Sequence, residues 1–156
     1  MTFETARAPP GATPVSRSET RKGAPSPKKH FRERTIVRLP FEYRGQLIEV
    51  LLDINSYDAS GNMAVMLYSK VAYGFSLLCH LTVETGEICN KNCAFIDISN
   101  NGPKILDWLA DNELAVPTGR VVRSGYVKYP EYKFDAAALR VLDPVGYTAY
   151  CCRLKQ

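Results

Sequence analysis

The chain is poor in the residues that most often do chemistry. Its 156 residues include two histidines, His30 and His80, one tryptophan and five cysteines. Nucleophilic catalysis needs a base beside the nucleophile and a third group to orient that base, and so thin a histidine supply leaves little to build with. There is no glycine-rich phosphate loop, no His-Glu-x-x-His and no Gly-x-Ser-x-Gly, so the familiar enzyme signatures are missing. No uninterrupted apolar run approaches the ~18 residues of a membrane span. The N-terminus also lacks the apolar stretch of a secretion signal. A soluble, cytoplasmic, non-enzymatic protein without cofactor or membrane contact is therefore the expectation. Five cysteines are an odd number, and without an export signal they are expected to be reduced thiols rather than a disulfide framework.

The net charge of +4 has a location. Residues 1–34 hold eight Lys/Arg against three acids, whereas 35–156 hold twelve against thirteen. The first stretch also carries Pro9, Pro10, Pro14, Pro25 and Pro27, and almost no large apolar side chains apart from Phe3, Val15 and Phe31. Such a segment buries too little surface to offset its ordering entropy, so 1–34 reads as a disordered, basic, Pro-rich leader before a single domain, 35–156. Its bases, Arg21, Lys22, Lys28, Lys29, Arg32 and Arg34, suit nucleic acid or another anionic surface. The plainer reading is a solvated leader, because the run is short and lacks interleaved aromatics.

From Thr35 the pattern becomes alternation. Val37, Leu39, Phe41 and Tyr43 share one face of a strand; Arg44-Gly45 is a tight turn; Ile48, Val50, Leu52 and Ile54 then alternate with Glu49 and Asp53. Met63–Tyr68 is apolar on both faces and reads as a central strand. The run 75–83 reads as a fourth strand, with Phe75, Leu77, Cys79, Leu81 and Val83 on one face, and Ala94–Ile98 as a further short one. The short connections favour an antiparallel meander. Helical spacing begins after Asn101-Gly102-Pro103, where Ile105, Leu106, Trp108 and Leu109 form an apolar stripe. Past a Pro117-Thr118-Gly119 loop, Tyr126–Phe134 is extended, with Pro130 assigning it to a sheet edge or a bend. Asp135 and Asp143 are placed to cap two further helices, Phe134 and Leu139 forming a hydrophobic staple at the first. The expectation is an α+β fold: an antiparallel sheet of about five to six strands packed with two to three short C-terminal helices.

Four cysteines, Cys89, Cys93, Cys151 and Cys152, invite a zinc reading, but adjacent cysteines on a helix diverge by roughly 100° and no metal is expected. Cys79 reads as a small core residue. His80 suits a general base only if it lines a pocket, and an exposed strand residue is the plainer reading. Two segments stand out. Asp97, Asn100 and Asn101 cluster where a strand enters a helix, a place that can hold an anion or simply be capped. Arg120, Arg123, Ser124, Tyr126, Lys128, Tyr129 and Tyr132 interleave bases and aromatics, a surface suited to a protein partner or to stacked bases.

The strings Ala94-Phe95-Ile96-Asp97 with Asn100-Asn101, Pro117-Thr118-Gly119, Ser124-Gly125-Tyr126, Tyr129-Pro130-Glu131-Tyr132 with Phe134, and Leu142-Asp143-Pro144 resemble a small bacterial family, domain of unknown function family 4313. The resemblance spans roughly 35–150 and is strongest over 94–144. The leader falls outside it, and Ile98-Ser99 stands where a shorter, Thr-containing link is expected. The family carries no assigned activity, cofactor or catalytic residue. It implies an accessory protein of conjugative or integrative bacterial elements. With catalytic constellations lacking, the leading expectation is a non-enzymatic protein-interaction factor, serving anti-defence or transfer. The alternative is a nucleic-acid-binding protein using the leader with Arg120, Arg123 and Lys128. An enzyme built on Asp97, Asn100, Asn101 and Ser124 would need those groups to converge.

Overall fold

A computed structural model describes residues 37–155. The leader, with the disorder and nucleic-acid role expected of Arg21, Lys22, Lys28, Lys29, Arg32 and Arg34, lies outside the described residues. Strands β1 (Leu39–Tyr43) and β2 (Gln46–Ser56) form the first hairpin. Its turn residues Arg44 and Gly45 both take positive φ, 51° and 78°, the left-handed conformation that matches a two-residue turn to the strand twist. Strand β3 (Met63–Val71) lies between β2 and β4 (Gly74–His80), so the four form an antiparallel meander. The interior place of β3 explains why its sequence is apolar on both faces.

The expected fourth strand is divided in two. Leu67 pairs with Cys79 and Tyr68 with Leu77, which leaves Leu78 as an extra residue in a β-bulge. The bulge resets the alternation: Leu77 is exposed, whereas Leu78 and Cys79 both pack against the core. After His80 the chain leaves the first sheet. Leu81 donates its N–H to Val65 O at 2.9 Å and accepts from Asp97 N at 3.0 Å, and Thr82 Oγ1 accepts from Val65 N at 3.0 Å. Thr82–Val83 is then β5, the first strand of a second sheet.

That sheet has the order β5-β6-β8-β7, with β6 at Cys93–Ile96, β7 at Ala115–Ser124 and β8 at Val127–Phe134. The expected antiparallel pairing is present, but the described residues form eight strands in two sheets where five or six in one were expected. Two local expectations are corrected here. Pro117-Thr118-Gly119 is not a loop before the strand but part of β7: Pro117 pairs with Tyr132 and Val121 with Pro130, so three residues of β7 face Glu131 alone. Nor does Pro130 make β8 an edge strand. Because β6 pairs only with Glu131, Tyr132 and Lys133, Pro130 falls where that neighbour has ended, and its missing N–H is tolerated.

Among the described residues four helices complete the α+β fold: α1 (Ile98–Asn101), α2 (Lys104–Asp111), α3 (Ala136–Leu142) and α4 (Pro144–Leu154). Among the described residues no helix is long and apolar enough to cross a membrane. The core joins Val50, Leu52 and Ile54 of β2, Val65 and Leu67 of β3, Ile96 of β6, Leu109 of α2, Leu139 of α3 and both tyrosines of α4, Tyr147 and Tyr150. Asp135 caps α3, accepting from Ala138 N at 2.9 Å, with Phe134 and Leu139 both buried as the staple requires.

Asp143 does more than cap. One carboxylate oxygen accepts from Gly146 N at 3.1 Å in the first turn of α4; the other accepts from Ile54 N at 2.8 Å on β2. The side chain is fully buried, and these charge-assisted bonds offset the cost of removing a carboxylate from water. Gly146 is required for this approach, since a Cβ there would run into the Asp143 carboxylate and lie 2.5 Å from Ile54 O. Farther along α4, Tyr147 donates to Asn92 Oδ1 and Tyr150 accepts from Asn92 N, each at 2.9 Å.

Asp143→Ala removes a cap and leaves Ile54 N buried without that acceptor, so a loss of about 2–4 kcal/mol is expected in urea unfolding. Gly146→Ala should cost about 1–3 kcal/mol through overpacking, and Asp135→Ala, which removes an exposed cap, about 1 kcal/mol. Equal losses for Asp143→Ala and Asp135→Ala would show that the bond to β2 contributes nothing.

Candidate functional site

The Asp97 cluster is brought together by the fold, in the service of the fold. Asp97 caps α1, its Oδ1 accepting from Asn100 N at 3.1 Å and its Oδ2 from Asn100 Nδ2 at 2.8 Å. Asn101 Nδ2 donates to His80 O and Asp97 O at 2.8 and 2.9 Å, tying the end of β4 to α1. The amides are thus spent on backbone and carboxylate oxygens that hold the crossing between the sheets. Ser124 is not with them. It pairs with Val127 at the end of β7, and among the described residues none of the hydrogen bonds that tie Asp97, Asn100 and Asn101 together reaches it.

A groove of about 820 Å³ runs between the β1–β2 hairpin and α2, with Phe41, Arg44, Lys104 and Trp108 in its walls. Trp108 Nε1 donates to Pro40 O at 2.6 Å, and the Trp108 and Phe41 rings meet edge to face at 5.2 Å. His80 is exposed on β4 and does not line it. Among the described residues no three His, Cys, Asp or Glu side chains gather to hold a metal ion. All five cysteines are free. Burial pushes the Cys79 thiol up to about 11; burial, then a hydrogen bond to Glu131, pushes Cys89 up to about 12. Burial raises Cys93 as well, so these three stay protonated at neutral pH, the opposite of an activated nucleophile.

The Arg/Tyr segment becomes the two strands of one hairpin, β7–β8, closed by Gly125 (φ 64°) and Tyr126. Its base is fixed by a network centred on Glu131, which is 6% exposed. Arg120 reaches Glu131 Oε2 at 3.1 Å, Glu87 Oε1 at 3.3 Å and Ile88 O at 3.0 Å, with its guanidinium 5.3 Å from the Phe95 ring. Thr118 Oγ1 donates to Glu131 Oε1 at 2.6 Å. The extra residues of β7, with Gly119 at φ 93°, therefore fold over the strand onto this carboxylate and pull the 84–92 loop against the sheet.

Beyond the network, Val121–Pro130 pairs only with itself: β6 has ended, and among the described residues no strand pairs with the outer side of β7. Arg123 and Lys128 are direct cross-strand partners on one face, shared with Val121, and both are exposed. Among the described residues neither has an ion-pair partner. Tyr126 at the tip is fully exposed. Tyr129 is half-buried opposite Val122, and Tyr132 packs against the core. Of the seven binding residues expected in this segment, Arg123, Ser124, Tyr126 and Lys128 are thus exposed, Tyr129 partly so, while Arg120 and Tyr132 are engaged within the fold. Glu131, the hub, was not among the expected site residues. Its signal was available, as the only acid in the stretch from Leu114 to Phe134.

A family model, domain of unknown function (DUF4313), matches residues 51–154. No curated protein and no solved structure matches the chain. The matched stretch contains the whole second sheet, the arm, its Glu131 anchor and the Asp143 cap.

Glu131→Ala should lower stability by about 1–3 kcal/mol, because it takes from the Thr118 hydroxyl and the Arg120 guanidinium their buried acceptor. It should also speed amide exchange in Val121–Pro130, and unchanged exchange there would show that Glu131 does not anchor the arm. A second expectation concerns alkaline pH. A thiol whose value rises on folding favours the folded state while protonated, so its contribution is complete below the unfolded value of 9.0 and is lost between there and about 11 for Cys79 and about 12 for Cys89. Urea midpoints should fall as pH rises above about 9, and Cys79→Ala with Cys89→Ala should flatten that fall.

Proposed function

We propose that this chain, which belongs to the DUF4313 family, is a non-enzymatic factor that binds another protein through the β7–β8 arm. The observation that carries the reading is the arm itself: residues 115–130 contain Arg120, Arg123 and Lys128 and no acid, on a domain whose remaining residues from 35 onward hold nine bases and thirteen acids. A long hairpin that extends past its sheet, with an exposed tyrosine at its tip, contributes little to its own core. Tyrosine and arginine are the side chains that most often anchor protein interfaces. The free thiols fit a reducing compartment, which supports a cytoplasmic setting. We place the factor among the accessory proteins of bacterial mobile elements, in an anti-defence or transfer role, on the strength of the motif resemblance.

Nucleic acid is the second reading, and the uncommitted pair Arg123 and Lys128 favours it. With Arg120 held by Glu131 and Glu87, the described residues offer it two free cations on the arm, too few for tight sequence-independent binding. The test is capture of partners from the native host by the full chain and by Arg123→Glu, Tyr126→Ala and Tyr129→Ala. A protein retained by wild type should be lost from Arg123→Glu and Tyr126→Ala, with a smaller loss from the half-buried Tyr129→Ala. A protein held equally by all four would move the interface elsewhere. Gel shifts across several salt concentrations, with and without residues 1–34, decide the nucleic-acid reading: salt-sensitive retention that depends on Arg123 and Lys128 would favour it.

A further inference from the structure

Resting on the reading of β7–β8 as a protein-binding arm, we propose that its partner is an extended acidic peptide segment that adds to the free edge of β7 along Val121–Ser124. Three observations meet there. First, the outer side of β7 is unpaired among the described residues, and in a strand alternate residues direct their N–H and C=O groups away from the existing neighbour. An added strand satisfies those groups and needs no preformed pocket.

Second, Arg123 and Lys128 stand directly opposite each other, and like charges in that position repel. Among the described residues no ion pair relieves the repulsion: residues 115–130 contain no carboxylate, and Glu131 is taken by Arg120 and Thr118. A carboxylate on an added strand, opposite Arg123, would lie on the face that also carries Lys128. Third, Val121 lies two residues from Arg123 on the same face and is 56% exposed. The arm therefore asks for an acidic and an aliphatic side chain two residues apart on the incoming strand.

The same facts disfavour other occupants. A second copy of β7 would bring another acid-free strand with its own Arg123 against this one. A polyphosphate would meet two free cations on a body that is otherwise net negative, and it has no use for backbone donors in strand register. The edge nearer the sheet centre is less suited, since Pro117 lacks an N–H and the bulge at Thr118, Gly119 and Arg120 turns the strand toward Glu131. Val121–Ser124 is the stretch that remains regular and, among the described residues, unpaired on its outer side.

The test begins with a displayed library of random peptides selected on the full chain. Enriched peptides should carry Asp or Glu two residues from Val, Ile or Leu. By fluorescence anisotropy, Arg123→Glu should weaken a selected peptide by roughly tenfold or more. This substitution sets a carboxylate directly opposite Lys128, so the hairpin should fold at least as well as before. Methylating alternate backbone nitrogens of the peptide should weaken it as much, and the amide resonances of Val121–Ser124 should shift on binding. Enrichment without carboxylates, no enriched peptide, or indifference to backbone methylation would each overturn strand addition. So would a single-stranded oligonucleotide that displaces the peptide and shifts the same amides. Replacing Ser124, which is exposed beside the tip, with a photo-crosslinking residue separates this inference from the reading beneath it. A host protein crosslinked there but not competed by saturating peptide would leave the binding arm standing and remove strand addition; no crosslinked protein would remove both.

Discussion

The carboxylate of Asp143 is the interaction on which the arrangement of the domain depends. It accepts from the start of α4 with one oxygen and from Ile54 of β2 with the other, at 3.1 and 2.8 Å. The last helix is thereby fixed in place and angle against the first sheet, and its tyrosines can reach Asn92 beside the second. Ile54 and Asp143 lie 89 residues apart, so this bond closes a loop that contains β3, β4 and the whole second sheet. A water-exposed cap would satisfy α4 equally well but position nothing. Burial makes the carboxylate costly to leave unpaired, and that cost is what makes its geometry selective.

Glu131 plays the corresponding part for the arm. It is buried, it accepts from Thr118 and Arg120, and it draws two bulge residues of one strand over the other. The ion pair is half-covered rather than dry: Glu131 is almost inaccessible while the Arg120 side chain is 41% exposed. Its contribution is therefore better judged by the hydroxyl and guanidinium it would leave stranded than by charge attraction alone. The consequence is geometric. A β7 without this anchor would have no reason to accommodate Thr118, Gly119 and Arg120 opposite a single residue, and the distal strands would leave the sheet at another angle.

How much of this was legible in the chain depends on the range of the interaction. The Arg44-Gly45 hairpin, the caps at Asp135 and Asp143, the staple of Phe134 with Leu139 and the stripe of α2 are set within a few residues, and each could be read directly. The two β-bulges could not. Whether Leu78 is an extra residue depends on how β4 meets Leu67 and Tyr68 of β3, and whether Pro117-Thr118-Gly119 is loop or strand depends on Glu131. Period-two alternation carries no information on register shifts imposed by a neighbour. The same limit hid the role of Arg120: as a letter in a basic, aromatic segment it resembles Arg123, and only the fold brings Glu131 and Glu87 to it. Pro130 misled for a related reason, since a strand can be interior at one end and an edge at the other.

The division between Arg120 and Arg123 bears on what the arm is for. Folding stability alone gives no reason to keep Arg123 opposite Lys128 on a strand pair that, among the described residues, is joined to no third strand, since any acid at either position would turn repulsion into attraction. Nor is the pair a general device against edge-to-edge aggregation, because one charge would serve and Val121 beside it works the other way. Pro117 and the bulge already blunt the inner part of the edge, where the sheet is wide and pairing would be most adhesive. What remains is a short regular edge with paired cations and an aliphatic neighbour, held at a defined angle by a buried carboxylate. A surface with those properties makes sense when the missing negative charge and the missing strand arrive together, on one partner.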